Sequence, residues 1–365
     1  MNYVALHRHA QVSLSRSAVA HNVAAIKNHA HAQQVMAVLK ANAFSHGLPE
    51  MAMLSIQSGA TRFGVAMLDE ALALRDLGYQ QPIDVLGLTD SQFVRLAAQR
   101  DITLAFISLA TIQQAVKVLA DTSLHLKVSL PVDTGLNRIG FKERDQLVLA
   151  IQEVVVSKQL EFQSLWTHFA TADTPNETYV DFQISEWQRL TQNLPAQPKE
   201  QHFANTGMAT WYADKVDTEI VRLGVGLFGI DSSEPTMPMP FELEPVLALT
   251  AEVIFSKPIK AGEAVGYGAD YRAKHDGWLL TIPIGHSDGY PFNADGQVGH
   301  IAGGVAMDQT MIFVDKPVNI GVQVTLIGSV GAQSVTLPDL AQYSSVSIVA
   351  LMNHFAPRLQ RIIVP

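Results

Sequence analysis

The sequence predicts an α/β chain: a (β/α)8 TIM-type barrel followed by a second, mostly β C-terminal domain. Three observations carry this expectation. Short β-branched runs alternate with longer amphipathic segments, the pattern of βα units around a parallel sheet, and eight such runs precede residue 231. After Asp231, the stretch SSEPTMPMPFELEP packs prolines too densely for helix or central strand and reads as a linker. From Val246 onward, alternating runs such as LALTAEVIF, WLLTIPI and VQVTLIG are separated by Gly, Asp and Pro turns, which predicts β structure.

Taken in order, Gln11 to Leu14 reads as a strand lent to the C-terminal domain. The barrel strands are expected at Val35 to Leu39, Phe63 to Ala66, Ile83 to Leu86, Thr103 to Ile107, Leu124 to Leu130, Ser164 to Thr167, His202 to Ala204 and Ile220 to Leu223. Helical patterns between them include Leu68 to Leu77, closed by Gly78, then Ser91 to Gln99, Leu109 to Leu119, Arg144 to Ser157 and Tyr179 to Asn193. The expected domains are therefore a barrel over residues 14–231 and a β domain over 240–365 together with 1–13.

Composition excludes several function classes. With 48% hydrophobic against 16% charged residues, the 365-residue chain has ample material for a core and is not disordered. Net charge is −9 with no Lys/Arg cluster, which argues against nucleic acid or an anionic membrane as partner. The absence of cysteine rules out disulfides, thiolate metal sites and cysteine nucleophiles. The opening residues lack a basic region followed by an apolar core, so a soluble, cytoplasmic protein is expected.

Three motifs invite over-reading. Gly224-Val-Gly226-Leu-Phe-Gly229 satisfies the dinucleotide pattern, but a proline-rich linker follows where a phosphate-binding helix should open. Gly285-His-Ser287-Asp-Gly289 satisfies the nucleophile-elbow pattern, yet Tyr290-Pro291-Phe292-Asn293 offers a loop rather than a helix. The thirteen histidines contain no zinc-binding spacing, so no metal is expected.

In a barrel, chemistry gathers at the C-terminal ends of the strands. Lys40 follows the apolar run VMAVL, and a partly desolvated lysine there suits Schiff-base formation. His168 follows the sixth strand, Asn205 and Thr206 the seventh, and Arg222, Gly224 and Val225 the eighth. The last two strand ends are where barrels commonly bind phosphate. A lysine opposite a phosphate cup, with Arg222 to tune a ring nitrogen, matches pyridoxal 5′-phosphate (PLP).

At this point the chain is similar to alanine racemase over nearly its full length. The resemblance is carried by AVLKANAFSHG around Lys40, VDTGLNRIGF around Arg138, THFATAD around His168, HFANT around Thr206, VRLGVGLFGI around Arg222, VGYGADYRA around Tyr267 and AMDQT around Met307 and Asp308. It implies a PLP enzyme that interconverts L- and D-alanine and supplies D-alanine for peptidoglycan. Lys40 would carry the cofactor and act as one base. Tyr267, contributed by the partner subunit of a homodimer with shared sites, would be the opposite base. By the same resemblance, His168, Asn205, Thr206, Arg222, Gly224, Val225 and His354 surround the cofactor, while Arg138, Met307 and Asp308 meet the substrate. Racemisation removes a proton from one face and returns one to the other, which is why two bases are needed.

The chain also departs from the family. Phe44, His286 and His354 stand where tyrosines are common, Gly304 where an arginine is, and Ala306 where a cysteine is. Pro131 replaces a lysine, often carbamylated, and Lys127 lies at a shifted register, so an anion such as chloride is expected beside Arg138 instead. The altered tyrosines leave open a racemase of serine, lysine or broader range. A catalytically silent PLP carrier is a further alternative, against which the retention of Tyr267 argues.

Overall fold

The computed structural model describes residues 4–215, 219–231, 233, 237–290 and 299–365. They form two compact units, one of Ser17–Ala43 with Met51–Glu244, the other of Met1–Arg16, Phe44–Glu50 and Pro245–Pro365.

Among the described residues, nine strands precede the linker: β1 (Ala10–Ser15), β2 (Gln34–Val38), β3 (Arg62–Val65), β4 (Ile83–Leu88), β5 (Thr103–Ala105), β6 (Leu126–Pro131), β7 (Leu160–Trp166), β8 (Glu200–His202) and β9 (Ile220–Leu223). The last eight make one parallel sheet in the order β8-β7-β6-β5-β4-β3-β2-β9. The circle is completed just past β8, where the Arg222 N–H donates to the Ala204 carbonyl at 3.0 Å and Asn205 bridges to Arg222. The eight expected barrel strands are thus present. β7 starts at Leu160, ahead of the expected Ser164, because the polar Glu161 between buried Leu160 and Phe162 masks an alternating run.

The helices follow their sequence signals. Leu68–Asp76 ends at Leu77, and Gly78 follows at φ +91°, a conformation that glycine adopts without strain. Ser108 caps Leu109–Leu119 by accepting the Thr111 N–H at 3.3 Å, and that helix buries Ile112, Ala115 and Leu119. The expected helix Ser91 to Gln99 is split into a 3-10 turn, Ser91–Phe93, and an α-helix, Val94–Gln99.

In the other unit the strands are β10 (Leu247–Glu252), β11 (Phe255–Ile259), β12 (Ala264–Val265), β13 (Tyr271–Arg272), β14 (Gly277–Ile282), β15 (His300–Ile301), β16 (Thr310–Val314), β17 (Gln323–Val330), β18 (Gln333–Val335) and β19 (Gln360–Val364). β1 lies inside a five-stranded sheet of order β18-β17-β10-β1-β19, antiparallel to β10 and parallel to β19. The strand read at Gln11 to Leu14 is therefore part of this sheet, although residue 14 was expected to open the barrel. A second sheet runs β11-β14-β16-β15, and Ile259, Val265, Leu279, Ala302 and Phe313 form a core cluster. Two helices, Leu337–Ser344 and Ile348–Met352, interrupt the expected β pattern, the first started by a capping box between Thr336 and Asp339.

The described part of the linker, Asp231, Ser233 and Met237 to Phe241, holds no helix or strand. Ser232, residues 234–236 and the expected loop at Pro291 to Asn293 lie outside the described residues. Among the described residues no helix is long and apolar enough to cross a membrane.

Candidate active site

In the barrel unit, the expected residues gather at the C-terminal strand ends. Lys40 stands two residues past β2. It opens an unusual turn: Ala41, Asn42, Ala43, Phe44 and Ser45 all have positive φ, between 51° and 60°. Each such non-glycine residue costs roughly 1–2 kcal/mol, so the turn persists only because its surroundings fix it. Burial lowers the Lys40 pKa, Arg138 adds repulsion, and Glu70 opposes both.

Arg222, on β9, is almost wholly buried and densely held. Nη1 donates to the His202 carbonyl at 2.5 Å and to His202 Nδ1 at 3.0 Å. Nη2 donates to the carbonyls of Thr167 at 2.7 Å and Phe203 at 3.1 Å, and to His168 Nδ1 at 3.3 Å. A guanidinium has no acceptor, so both histidines accept through Nδ1 and carry their proton on Nε2. Nε makes no hydrogen bond to any described residue. Burial pulls the Arg222 pKa down to about 9, with Asp84 supporting the charge and Arg138 opposing it, so the group stays cationic at neutral pH. The His168 pKa is pushed down to about 3 by burial and by Arg222, Arg138 and Lys40, which keeps the ring neutral. Trp166 packs under this pair, stacked on His202 with 6.2 Å between ring centroids.

The loop carrying His168 is held by Gln183. Its amide donates to Thr134 Oγ1 at 3.0 Å and to the His168 carbonyl at 3.1 Å, and its oxygen accepts the Ala170 N–H at 2.8 Å. Arg138 makes no ion pair with the nearby Asp133, whose carboxylate instead accepts the N–H groups of Gly135 and Asn137. Lys127 pairs with Asp101.

Beyond β8 and β9 two short turns come together. Asn205 caps Thr206–Trp211 by accepting the Met208 N–H at 3.0 Å, and Gly224 donates to Thr206 Oγ1 at 3.1 Å. The turn Val225–Phe228 is a 3-10 helix, so a short helix does open at these glycines where only linker was expected. At Gly226 a Cβ would come within 2.6 Å of Thr206 Cγ2, which fixes glycine there. Two N-terminal turn ends converging on one hydroxyl provide the donors of an anion cup.

In the other unit, the GHSDG turn gathers Met307, Asp308 and His354. A Cβ on Gly285 would lie 2.3 Å from the Ala306 carbonyl oxygen, and one on Gly289, at φ +82°, would lie 1.9 Å from the His354 oxygen. Both glycines are thus required by close backbone approach, a structural role for the misleading serine motif. Asp288, fully buried, takes Arg8 and Arg358, and Arg358 also donates to Asp308 at 2.7 Å. Met307 is 62% exposed and its N–H makes no hydrogen bond to a described residue. Tyr267 is 79% exposed on a turn beside the Gly303-Gly304 loop, where a Cβ on Gly266 would sit 3.3 Å from the Gly304 nitrogen.

Sequence reading missed Glu70, Gln183 and the roles of His202 and Asp288. Asp288 alone had a local signal, as the acidic residue of a glycine-bracketed turn.

Comparison with known proteins agrees with this geometry. The family model for the alanine racemase N-terminal domain matches residues 14–232, and that for the C-terminal domain matches 246–363. Alanine racemases from Levilactobacillus brevis and Pediococcus pentosaceus are 39% and 37% identical, over 98% of this chain and 99% and 97% of theirs. The structure of a histidine racemase from Leuconostoc mesenteroides subsp. sake superposes with a TM-score of 0.98, at 68% identity and 100% coverage of both chains. That of the Bacillus anthracis alanine racemase with bound L-Ala-P has a TM-score of 0.90 at 31% identity, covering 98% of this chain and 95% of that one. With both family models matched in order and relatives aligned over nearly its whole length, the chain belongs to the alanine racemase family of PLP-dependent amino-acid racemases.

Proposed function

We propose that this chain is a PLP-dependent two-base racemase whose preferred substrate is histidine, working as a cytoplasmic homodimer with shared sites. The observation that carries the substrate choice is the 68% identity over the full length to a histidine racemase, against 31–39% to the alanine racemases named above. The resemblance adds that Phe44, His286, His354 and Gly304 stand where the family commonly carries tyrosines and an arginine, so these four side chains are smaller here.

The residues present fit PLP. Arg222 keeps Nε uncommitted for a ring nitrogen, Lys40 is depressed toward its nucleophilic form, and the turns at Thr206 and Val225 offer donors to a phosphate, with Asn205 and Gly224 holding them in place. PLP, when bound, withdraws electrons from the substrate α-carbon and so makes its proton removable. Arg222, being cationic, would face the ring nitrogen as a donor only and would leave it unprotonated, moderating that withdrawal. Lys40 moves the α-proton on one face and Tyr267 on the other. His168, neutral and fixed by Arg222, has Nε2–H available as a donor. Arg138 and the Met307 N–H bind the substrate carboxylate, and Asp308 is held beside it by Arg358. His354, bordering the same turn, closes the surroundings of cofactor and substrate.

The test is racemisation by the purified, PLP-loaded enzyme on L-histidine, L-alanine, L-serine and L-lysine, followed by chiral chromatography. Histidine is expected to give the highest kcat/KM. Faster alanine turnover would overturn the choice and restore alanine as the substrate, in line with the alanine racemases this chain is similar to.

A further inference from the structure

Glu70 lies 29 residues from Ala41 in sequence, yet its carboxylate holds the backbone N–H immediately after Lys40. Oε1 accepts the Ala41 N–H at 2.6 Å. Oε2 accepts the N–H groups of Ala66 at 2.9 Å and Met67 at 3.3 Å. Both oxygens are therefore used. One holds the first residue of the left-handed turn, and the other holds the end of β3 and the entry to Leu68–Asp76. Met67, at the cap position of that helix, supplies no side-chain hydrogen bond, so Glu70 does the capping as well.

Ala41 sits at φ 54° and ψ 52°, a conformation disfavoured for alanine, and needs an external restraint. A carboxylate is the suitable one, since it accepts on both sides, whereas a glutamine would turn an NH2 toward one set of N–H groups. The charge also matters. Among the described residues, Arg138 and Glu70 are the charged groups that shift Lys40, with His168 nearby as a neutral ring. Burial and Arg138 act against an ammonium, and Glu70 is the attractive member of the set.

We propose that Glu70 is a positioning residue for Lys40, clamping the Ala41 N–H so that the lysine leaves the strand end in the geometry PLP requires. The inference rests on Lys40 as the PLP lysine and adds what places it there.

The test uses the full-length apoprotein and PLP itself. Capture of PLP by Lys40 is followed by visible absorbance and by borohydride trapping with peptide mapping, across pH. Glu70→Gln is expected to move the midpoint of capture down by about half a pH unit or more, because the attractive charge is lost. It is also expected to weaken PLP retention about tenfold, the scale on which supporting contacts to a cofactor ligand act. Asp69→Asn, which removes the neighbouring exposed carboxylate on the same turn, should change neither. To separate folding from positioning, Met67→Ser is combined with Glu70→Gln, since serine caps the helix by itself; the shift in Lys40 must persist. A wild-type midpoint and retention in Glu70→Gln, an equal shift in Asp69→Asn, or a shift cured by Met67→Ser would each overturn the proposal. Trapping of PLP on a residue other than Lys40 in the wild-type protein would instead overturn the lysine assignment on which it stands.

Discussion

At the residue scale, two histidines around Arg222 are kept neutral by the barrel. Burial lowers the His202 pKa well below the ordinary range, with Arg222 and Arg62 acting in the same sense, and His168 is pushed down to about 3. In the unfolded chain both titrate near 6.5. Below that pH the unfolded state binds protons that the folded state refuses, so stability is full above about 6.5 and falls as pH drops toward 3. Each group contributes a slope of up to about 1.4 kcal/mol per pH unit. His202→Gln should therefore flatten the decline of urea stability between pH 6.5 and 4.5 relative to wild type, whatever its effect at pH 8. An unchanged slope would show that His202 protonates freely in the fold. These rings were legible in sequence only as strand-end residues. Their neutrality arises from a guanidinium 54 residues from His168 and 20 from His202, which no local pattern reveals.

At the scale of elements, the strands were readable because parallel barrel strands are buried on both faces and become apolar runs. What interrupts those runs was not. Arg62 on β3, Asp84 on β4 and Glu200 on β8 form an ion network, with Arg62 Nη2 at 3.0 Å from Asp84 and Nη1 at 2.6 Å from Glu200. Arg62 and Asp84 are almost wholly buried, and burial pushes the Asp84 carboxyl up while Arg62 opposes it. Removing the cation leaves the buried Asp84 carboxylate and the partly buried Glu200 without compensation, which costs roughly 3–5 kcal/mol. Arg62→Met is expected to lose that much in urea unfolding at pH 7.5, and adding Asp84→Asn and Glu200→Gln should recover a large part of it. A loss below about 1 kcal/mol in the single variant would show that the network is not energetically coupled. The left-handed turn after Lys40 was equally hidden, because its sequence Ala-Asn-Ala-Phe-Ser carries no glycine to announce positive φ. The helix Leu337–Ser344 was missed for a different reason, since its capping box lies directly after an alternating run.

At the scale of the whole molecule, the residues proposed for the reaction divide between the two units: Lys40, His168 and Arg222 in the barrel, Tyr267 and Met307 in the other. Tyr267, at 79% exposure, is a large aromatic left to solvent within a single chain. If sites are shared between two copies, each requires Lys40 from one protomer and Tyr267 from its partner. Lys40→Ala and Tyr267→Phe chains are then inactive alone but complementary when mixed. In a heterodimer one site receives both substitutions and the other receives neither. With random exchange half the dimers are heterodimers, and each carries one intact site of two, so activity should return to about a quarter of the wild-type value per chain. The measurement is racemase activity after mild denaturation and joint refolding of the two variants, compared with each refolded alone. Recovery well above the sum of the separate samples supports shared sites. Activity fixed at that sum, in a mixture shown by differential tagging to contain heterodimers, would place both bases within one chain.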